Sequence, residues 1–221
     1  MTAKVVMFDF DGTIADTYNA IDNITNQLSS EFGYKALSQE ELLLLKNLSS
    51  REVVKISEIS IFKIPFLVRR VRTELSKEIA DLSPIENIIP VLFELKNREY
   101  TLGIITSNAR ENVKIFLRKN QLDGLFRYIH SSTSIFGKHR VINQTIKNNR
   151  LKKDNVLYVG DETRDIRSAR RSNIGVAAVS WGFNSAKILK EHNPNYLVNQ
   201  PSELLSAIED YYSQKTKTSV N

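Results

Sequence analysis

The sequence predicts an α/β fold: a parallel β-sheet sandwiched by helices, with a helical segment inserted after the first strand. Short apolar, β-branched runs at Val5–Phe8, 102–106, 156–159 and 176–179 suit strands buried on both faces. Longer stretches with helical spacing lie between the later runs, at Ile88–Asn97, 110–120 and 141–149. Strand and helix alternating in this way place helices on both faces of a parallel sheet. Residues 14–82 break the alternation. They show almost no strand signal and three helical stretches, at 16–32, 38–45 and 65–79. Ser38 with Glu41 three residues on reads as a capping box that starts the second of these.

The expected organisation is therefore an α/β core made of residues 1–14 and 84–221, with a helical unit over 15–83 between them. The connections would be 14–17 and 83–87, and the polar tail over 214–221 is expected to be frayed. Phe62 and Phe66 are expected in the core of the helical unit, and Trp181 against a loop at the sheet edge.

Composition narrows the function classes. The 221 residues are 41% hydrophobic and 25% charged, as in an ordinary globular protein. No apolar run approaches the roughly 20 residues that cross a bilayer. No cleavable leader is expected, since the first residues lack a long apolar stretch and a small-residue cleavage site, and there is no cysteine to form a disulfide, a thiolate metal site or a nucleophile. A cytoplasmic protein is expected. The net charge of +6 is concentrated at 69–72, 147–153 and 164–171, runs that ordinarily form solvated helix faces. Without an aromatic-interleaved basic platform or a zinc finger, nucleic acid is not expected as a partner. His130, His139 and His192 lack metal-ligand spacing.

Four features stand at successive predicted strand ends, where open α/β sheets place their ligands. The first is Asp9-Phe10-Asp11-Gly12-Thr13. Residues two apart in an extended chain face the same side, so Asp9 and Asp11 can converge. Two carboxylates in one pocket repel unless a cation joins them or one is protonated, and a hard ion such as Mg²⁺ removes that cost. The second is Thr106-Ser107-Asn108, hydroxyls and an amide able to hold phosphate oxygens. The third is Lys138 after Gly137, an ammonium that can neutralise a carboxylate and a phosphoryl group. The fourth, Gly160-Asp161-Glu162-Thr163-Arg164-Asp165, brings further acids to complete a metal site.

In this order the motifs resemble those of the haloacid dehalogenase superfamily, whose core is a Rossmann-like sheet and whose phosphatase branch carries a helical cap after the first motif. Phe136-Gly137-Lys138, Gly160-Asp161-Glu162 and Val179-Ser180-Trp181-Gly182 are similar to the phosphoglycolate phosphatase-like group. The resemblance implies Asp9 as nucleophile, Asp11 as acid and base, and Lys138 as the charge-balancing cation. It implies Thr106, Ser107, Asn108 and Lys138 as phosphate-binding residues. It also implies Mg²⁺ held by Asp9, the Asp11 carbonyl, Asp161 and Asp165. Asp11 distinguishes phosphoryl chemistry from the dehalogenases, which lack that aspartate and need no metal. In the cap, 45–52 is similar to a substrate-reaching segment, so Arg51 is expected to meet an anionic leaving group. Relatives often have glycine at positions 47 and 87, where this chain has asparagine, a residue that tolerates left-handed backbone.

The expected substrate is a small phosphorylated metabolite, with phosphoglycolate the default, and the expected assembly a monomer or homodimer. Three readings stay open: such a phosphatase, a sugar phosphomutase using the same aspartyl-phosphate, and a non-catalytic binding relative.

Overall fold

The computed structural model describes residues 3–132 and 137–218. Phe136, part of one motif above, lies outside them. Six strands form one sheet: β1 (Val5–Phe8), β2 (Thr101–Thr106), β3 (Phe126–Ser131), β4 (Val156–Gly160), β5 (Gly175–Val179) and β6 (Tyr196–Val198). Their order is β3-β2-β1-β4-β5-β6, and every neighbouring pair is parallel. The chain runs outward from β1 in one direction through β2 and β3, then returns to start again at β4. That reversal opens a crevice beyond the carboxyl ends of β1, β2 and β4.

Strands β1, β4 and β5 are buried at every position, as continuous apolar runs require. Two strands were not legible. In β3, the exposed Arg127 and His130 interrupt the apolar run, Arg127 at an irregularity in register where Phe126 pairs with Leu102 and Tyr128 with Gly103. Strand β6 has three residues, too few for a periodic signal.

Five helices follow β1: α1 (Tyr18–Gln27), α2 (Ser29–Phe32), α3 (Gln39–Leu45), α4 (Ser50–Ile56) and α5 (Ile64–Leu75). Capping boxes start α3 at Ser38 and α4 at Ser49. The chain leaves and re-enters the sheet region along one double track. Asp16 N donates to Ser83 O at 2.9 Å, and Ile85 N to Ile14 O at 2.8 Å. Asn87, at the re-entry, takes φ 62°, the left-handed conformation its side chain tolerates; Asn47 does not. Phe62 and Phe66 are 83% and 66% exposed, so they are not core residues of this unit. Ile24, Leu28 and Leu75 fill that role, packing in the same cluster as Ile14 and Ile88.

The remaining helices are α6 (Ile88–Asn97), α7 (Arg110–Lys119), α8 (Lys138–Asn148), α9 (Thr163–Arg171), α10 (Ala186–Glu191) and α11 (Pro201–Thr218). They cover both faces, over two separate apolar clusters. Helix α8 begins at Lys138, one turn earlier than its apolar spacing indicates. Helix α11 runs through Gln214, so the segment read as a frayed tail begins inside a helix; residues 219–221 lie outside the described ones. Tyr212 anchors α11, its hydroxyl donating to Val5 O at 2.7 Å. Among the described residues, no helix is long and apolar enough to cross a membrane.

Candidate active site

Register brings the four motifs together. Phe8 pairs with Ile104 on one side and Val159 on the other, so Asp9, Thr106 and Asp161 all emerge at the same end of the sheet. Asp9 N continues the ladder to Val159 O at 2.8 Å, which holds the residue rigidly where the strand ends. After Asp11 the backbone turns at Gly12, with φ +71°. A Cβ there would come within 2.4 Å of the Asp161 carboxylate, so only glycine fits both the conformation and the space. The same carboxylate excludes a side chain at Gly182, where a Cβ would sit 2.1 Å from it.

Three buried carboxylates meet in this space. Asp9, Asp161 and Asp165 each offer an oxygen within 4.8 Å of the others, and none is more than 1% exposed. Lys138 Nζ lies 2.6 Å from Asp9 Oδ2 and 2.5 Å from Asp165 Oδ1, itself 1% exposed. Its position follows from the start of α8, whose first residue points back to the sheet end. Burial pulls the ammonium toward neutrality, but Asp165 and Asp9 outweigh it and raise its pKa above the ordinary lysine value.

One ammonium cannot balance three carboxylates. Burial, then the Glu162 and Asp9 charges, push the Asp161 carboxyl well above its usual range. Asp165 is raised to about 7, chiefly by burial, against the opposing pull of Lys138. Asp161 is held by short donors: Thr13 Oγ1 at 2.8 Å on Oδ1 and Phe183 N at 2.7 Å on Oδ2. Asp165 accepts from Glu162 N at 3.1 Å as part of the α9 capping box. These are hard oxygen donors, rigidly held and short of positive charge, and they fit a Mg²⁺ ion.

Asp11 stands apart from that cluster, in the floor of a cavity of about 250 Å³ between the sheet ends and the inserted helices. Ser107, Asn108, Arg164, Phe183 and, from α5, Arg72 line it with Asp11. Burial first, and the Asp9 charge second, raise the Asp11 carboxyl to about 6. Asn108 Nδ2 donates to Asp11 Oδ1 at 2.8 Å, and Asn108 is itself fixed by Asn112 Nδ2 at 3.0 Å. The buried Thr106 hydroxyl accepts from Asn108 N at 2.9 Å, which shapes the loop that ends β2.

The structure thus gathers Asp9, Asp11, Thr106, Ser107, Asn108, Lys138, Asp161 and Asp165 at one end of the sheet. Arg51 is not with them, since it lines a different cavity. Sequence reasoning missed Thr13, Arg164 and Arg72. Arg164 sat in a basic run read as a solvated face, yet its side chain is only 12% exposed and paired with Glu162. Arg72 donates to Ser132 O at 2.8 Å across 60 positions, a contact that no local pattern announces. Trp181, expected near an edge loop, donates from Nε1 to Thr13 O at 3.2 Å and so braces the turn after Asp11.

A buried carboxylate cluster around one lysine, beside a separate carboxyl raised to about 6, is a site that can carry hydrolytic chemistry. Comparison with known proteins supplies the family. The model of the haloacid dehalogenase-like hydrolases matches residues 6–179. A phosphoglycolate phosphatase of Synechococcus elongatus is 33% identical over 205 residues, covering 93% of this chain and 97% of that protein. Pyrophosphatase PpaX of Oceanobacillus iheyensis is 23% identical over 217 residues, covering 96% and 100%. Among solved structures, a predicted phosphatase from Clostridium acetobutylicum superposes with a TM-score of 0.81 at 22% identity, covering 95% of this chain and all of that one, a likeness of fold. The chain belongs to the haloacid dehalogenase-like hydrolase family and is an enzyme of its phosphatase branch.

Lys138→Met tests the electrostatics. Without a divalent cation it strands the Asp9 and Asp165 carboxylates, and stability to urea should fall by about 3–5 kcal/mol. A loss under about 1 kcal/mol would mean that the ammonium does not hold the cluster together.

Proposed function

We propose that this phosphatase is a Mg²⁺-dependent phosphomonoesterase working through an aspartyl-phosphate on Asp9, with a small phosphorylated metabolite as substrate and phosphoglycolate as the first candidate. The observation that carries the reading is the division of labour between two neighbouring carboxyls. Asp9 is ion-paired with Lys138 at 2.6 Å, whereas Asp11 is raised to about 6 beside the open cavity, where it can hold a proton.

In the first half-reaction an Asp9 oxygen attacks phosphorus in line and the bond to the leaving oxygen breaks. Asp11 gives its proton to that oxygen, and the alcohol departs. In the second, Asp11 takes a proton from water, the water oxygen attacks phosphorus, and the acyl-phosphate bond breaks to regenerate Asp9. Lys138 offsets the nucleophile's charge throughout, while Thr106, Ser107 and the loop to Asn108 hold the phosphoryl oxygens. Asp9, the Asp11 carbonyl, Asp161 and Asp165 are the residues that would hold the metal. When bound, Mg²⁺ supplies positive charge against an anionic nucleophile meeting an anionic substrate. The helical unit over 15–83 acts as a cap that closes the site and chooses the leaving group.

The cap side of the cavity supports a leaving group with its own negative charge. It is walled by apolar residues, Leu67, Val68, Val71 and Leu75, with Arg72 among them. The Arg72 Nε is buried with no acceptor among the described residues, so a carboxylate there would satisfy it. Phosphoglycolate has that carboxylate, and it is the substrate that names the Synechococcus relative.

Two measurements check this. A phosphate-release screen over a metabolite panel should show turnover with Mg²⁺, none with chelator, and none in a folded Asp9→Asn variant; substantial activity in that variant would remove Asp9 as nucleophile. Arg72→Ala should raise KM for phosphoglycolate at least tenfold yet leave an aryl phosphate with an uncharged leaving group nearly unaffected. Equal effects on both would show that Arg72 does not read the leaving group.

A further inference from the structure

A second cavity, of about 150 Å³, lies on the other side of Arg164 from the one over Asp11. Arg51 from α4, His139 from α8, and Arg167, Arg170 and Arg171 from α9 line it with Arg164. Its volume is about five times the ~30 Å³ that a water molecule occupies in the liquid, room for a small anion. The α9 members follow from helical spacing: Arg164, Arg167 and Arg171 recur at i, i+3 and i+7, along one face.

An ordinary solvated basic face explains part of this, because cations at the end of α9 are favoured by the helix dipole. It does not explain the convergence of arginines from two separate elements, with Arg51 brought against Arg167. Nor are the α9 arginines balanced by ion pairs among the described residues. Of Arg164, Arg167, Arg170 and Arg171, only Arg164 makes an ion pair among the described residues. Arg170 Nη2 is held instead by the carbonyls of His192 at 2.7 Å and Asn193 at 3.1 Å, and Arg167 Nη2 lies 3.4 Å from His192 Nε2. These neutral partners fix the guanidiniums in place and leave their charge intact. Glu162 is already engaged by Arg164 and by Ser50 Oγ at 3.0 Å, and the attraction of Glu52 for Arg167 is outweighed by the repulsion from Arg51. Arg164 Nη1 is buried with no acceptor among the described residues.

We propose that this cavity is a binding site for inorganic phosphate, as orthophosphate or as a condensed phosphate, separate from the site over Asp11 and independent of the reaction proposed above. Planar guanidiniums offer paired N–H donors that match tetrahedral oxyanions, and several around one anion exchange mutual repulsion for charge-assisted hydrogen bonds. Because Arg51 belongs to the inserted helices and the others to the sheet domain's α9, a bound anion would also tie the two together beside the Ser50–Glu162 contact.

The test is calorimetric titration of the full chain with orthophosphate and with pyrophosphate, at fixed ionic strength and with chelator. Without metal, the carboxylates at the active site repel phosphate, so the arginine cavity dominates the signal. Wild type should bind one equivalent. Arg167→Ser/Arg171→Ser should weaken it at least tenfold while retaining Mg²⁺-dependent turnover, which certifies its fold. Arg51→Ser should weaken it from the opposite wall. Tighter binding of pyrophosphate would assign the site to condensed phosphates, and equal or tighter binding of orthophosphate to the released product. Absence of binding to wild type, or wild-type affinity in either variant, would overturn the site.

Discussion

Everything at the active end of this molecule depends on one buried ammonium. Lys138 lies 2.6 Å from Asp9 and 2.5 Å from Asp165 in a space closed to solvent. Three carboxylates this close would otherwise disfavour the folded state, since each unpaired buried charge costs several kcal/mol. One ammonium leaves the cluster short of positive charge. That shortfall shows in the raised Asp161 and Asp165 carboxyls, and it is what a divalent cation would meet.

The sheet makes that placement possible. Reversal of the winding direction at β1 puts the ends of β1, β2 and β4 side by side, so Asp9, the loop from Thr106 to Asn108, and Asp161 arise from three adjacent strands. Rigidity comes from the contacts behind them. Gly12 and Gly182 let the backbone close around Asp161, Trp181 braces the turn at Thr13, and Asn108 fixes Asp11. The inserted helices are tied to this frame by polar contacts. Asn184 donates to Leu48 O at 3.0 Å and accepts from Thr163 N at 2.9 Å, linking the insertion to the start of α9. Lys46 adds a bond to Gly182 O at 3.1 Å.

Much of this was legible in the sequence, for a definite reason. Buried parallel strands write continuous apolar runs, and their ends mark where ligand groups must stand, so Asp9, Asp11, Thr106, Asp161 and Asp165 could be read as one constellation, with Lys138 joined to it by the order of the family's motifs. Their meeting in space is now described; their roles are what the proposed reaction assigns. Strand β3 was missed because Arg127, at an irregularity in register, and His130 break its apolar run. Thr13, Arg164 and Arg72 were missed because their importance lies in partners far along the chain. Thr13 meets Asp161 across 148 positions. Arg51 shows the converse: a local likeness places it at the substrate, and it lines another cavity together with arginines of α9.

The account rests on a covalent bond between Asp9 and the transferred phosphoryl group. Its most direct test is a rapid quench of turning-over enzyme into borohydride, followed by peptide mass spectrometry. An acyl phosphate at Asp9 would be reduced to homoserine at that position and nowhere else. Homoserine at another aspartate, or full turnover with none at position 9, would contradict the account.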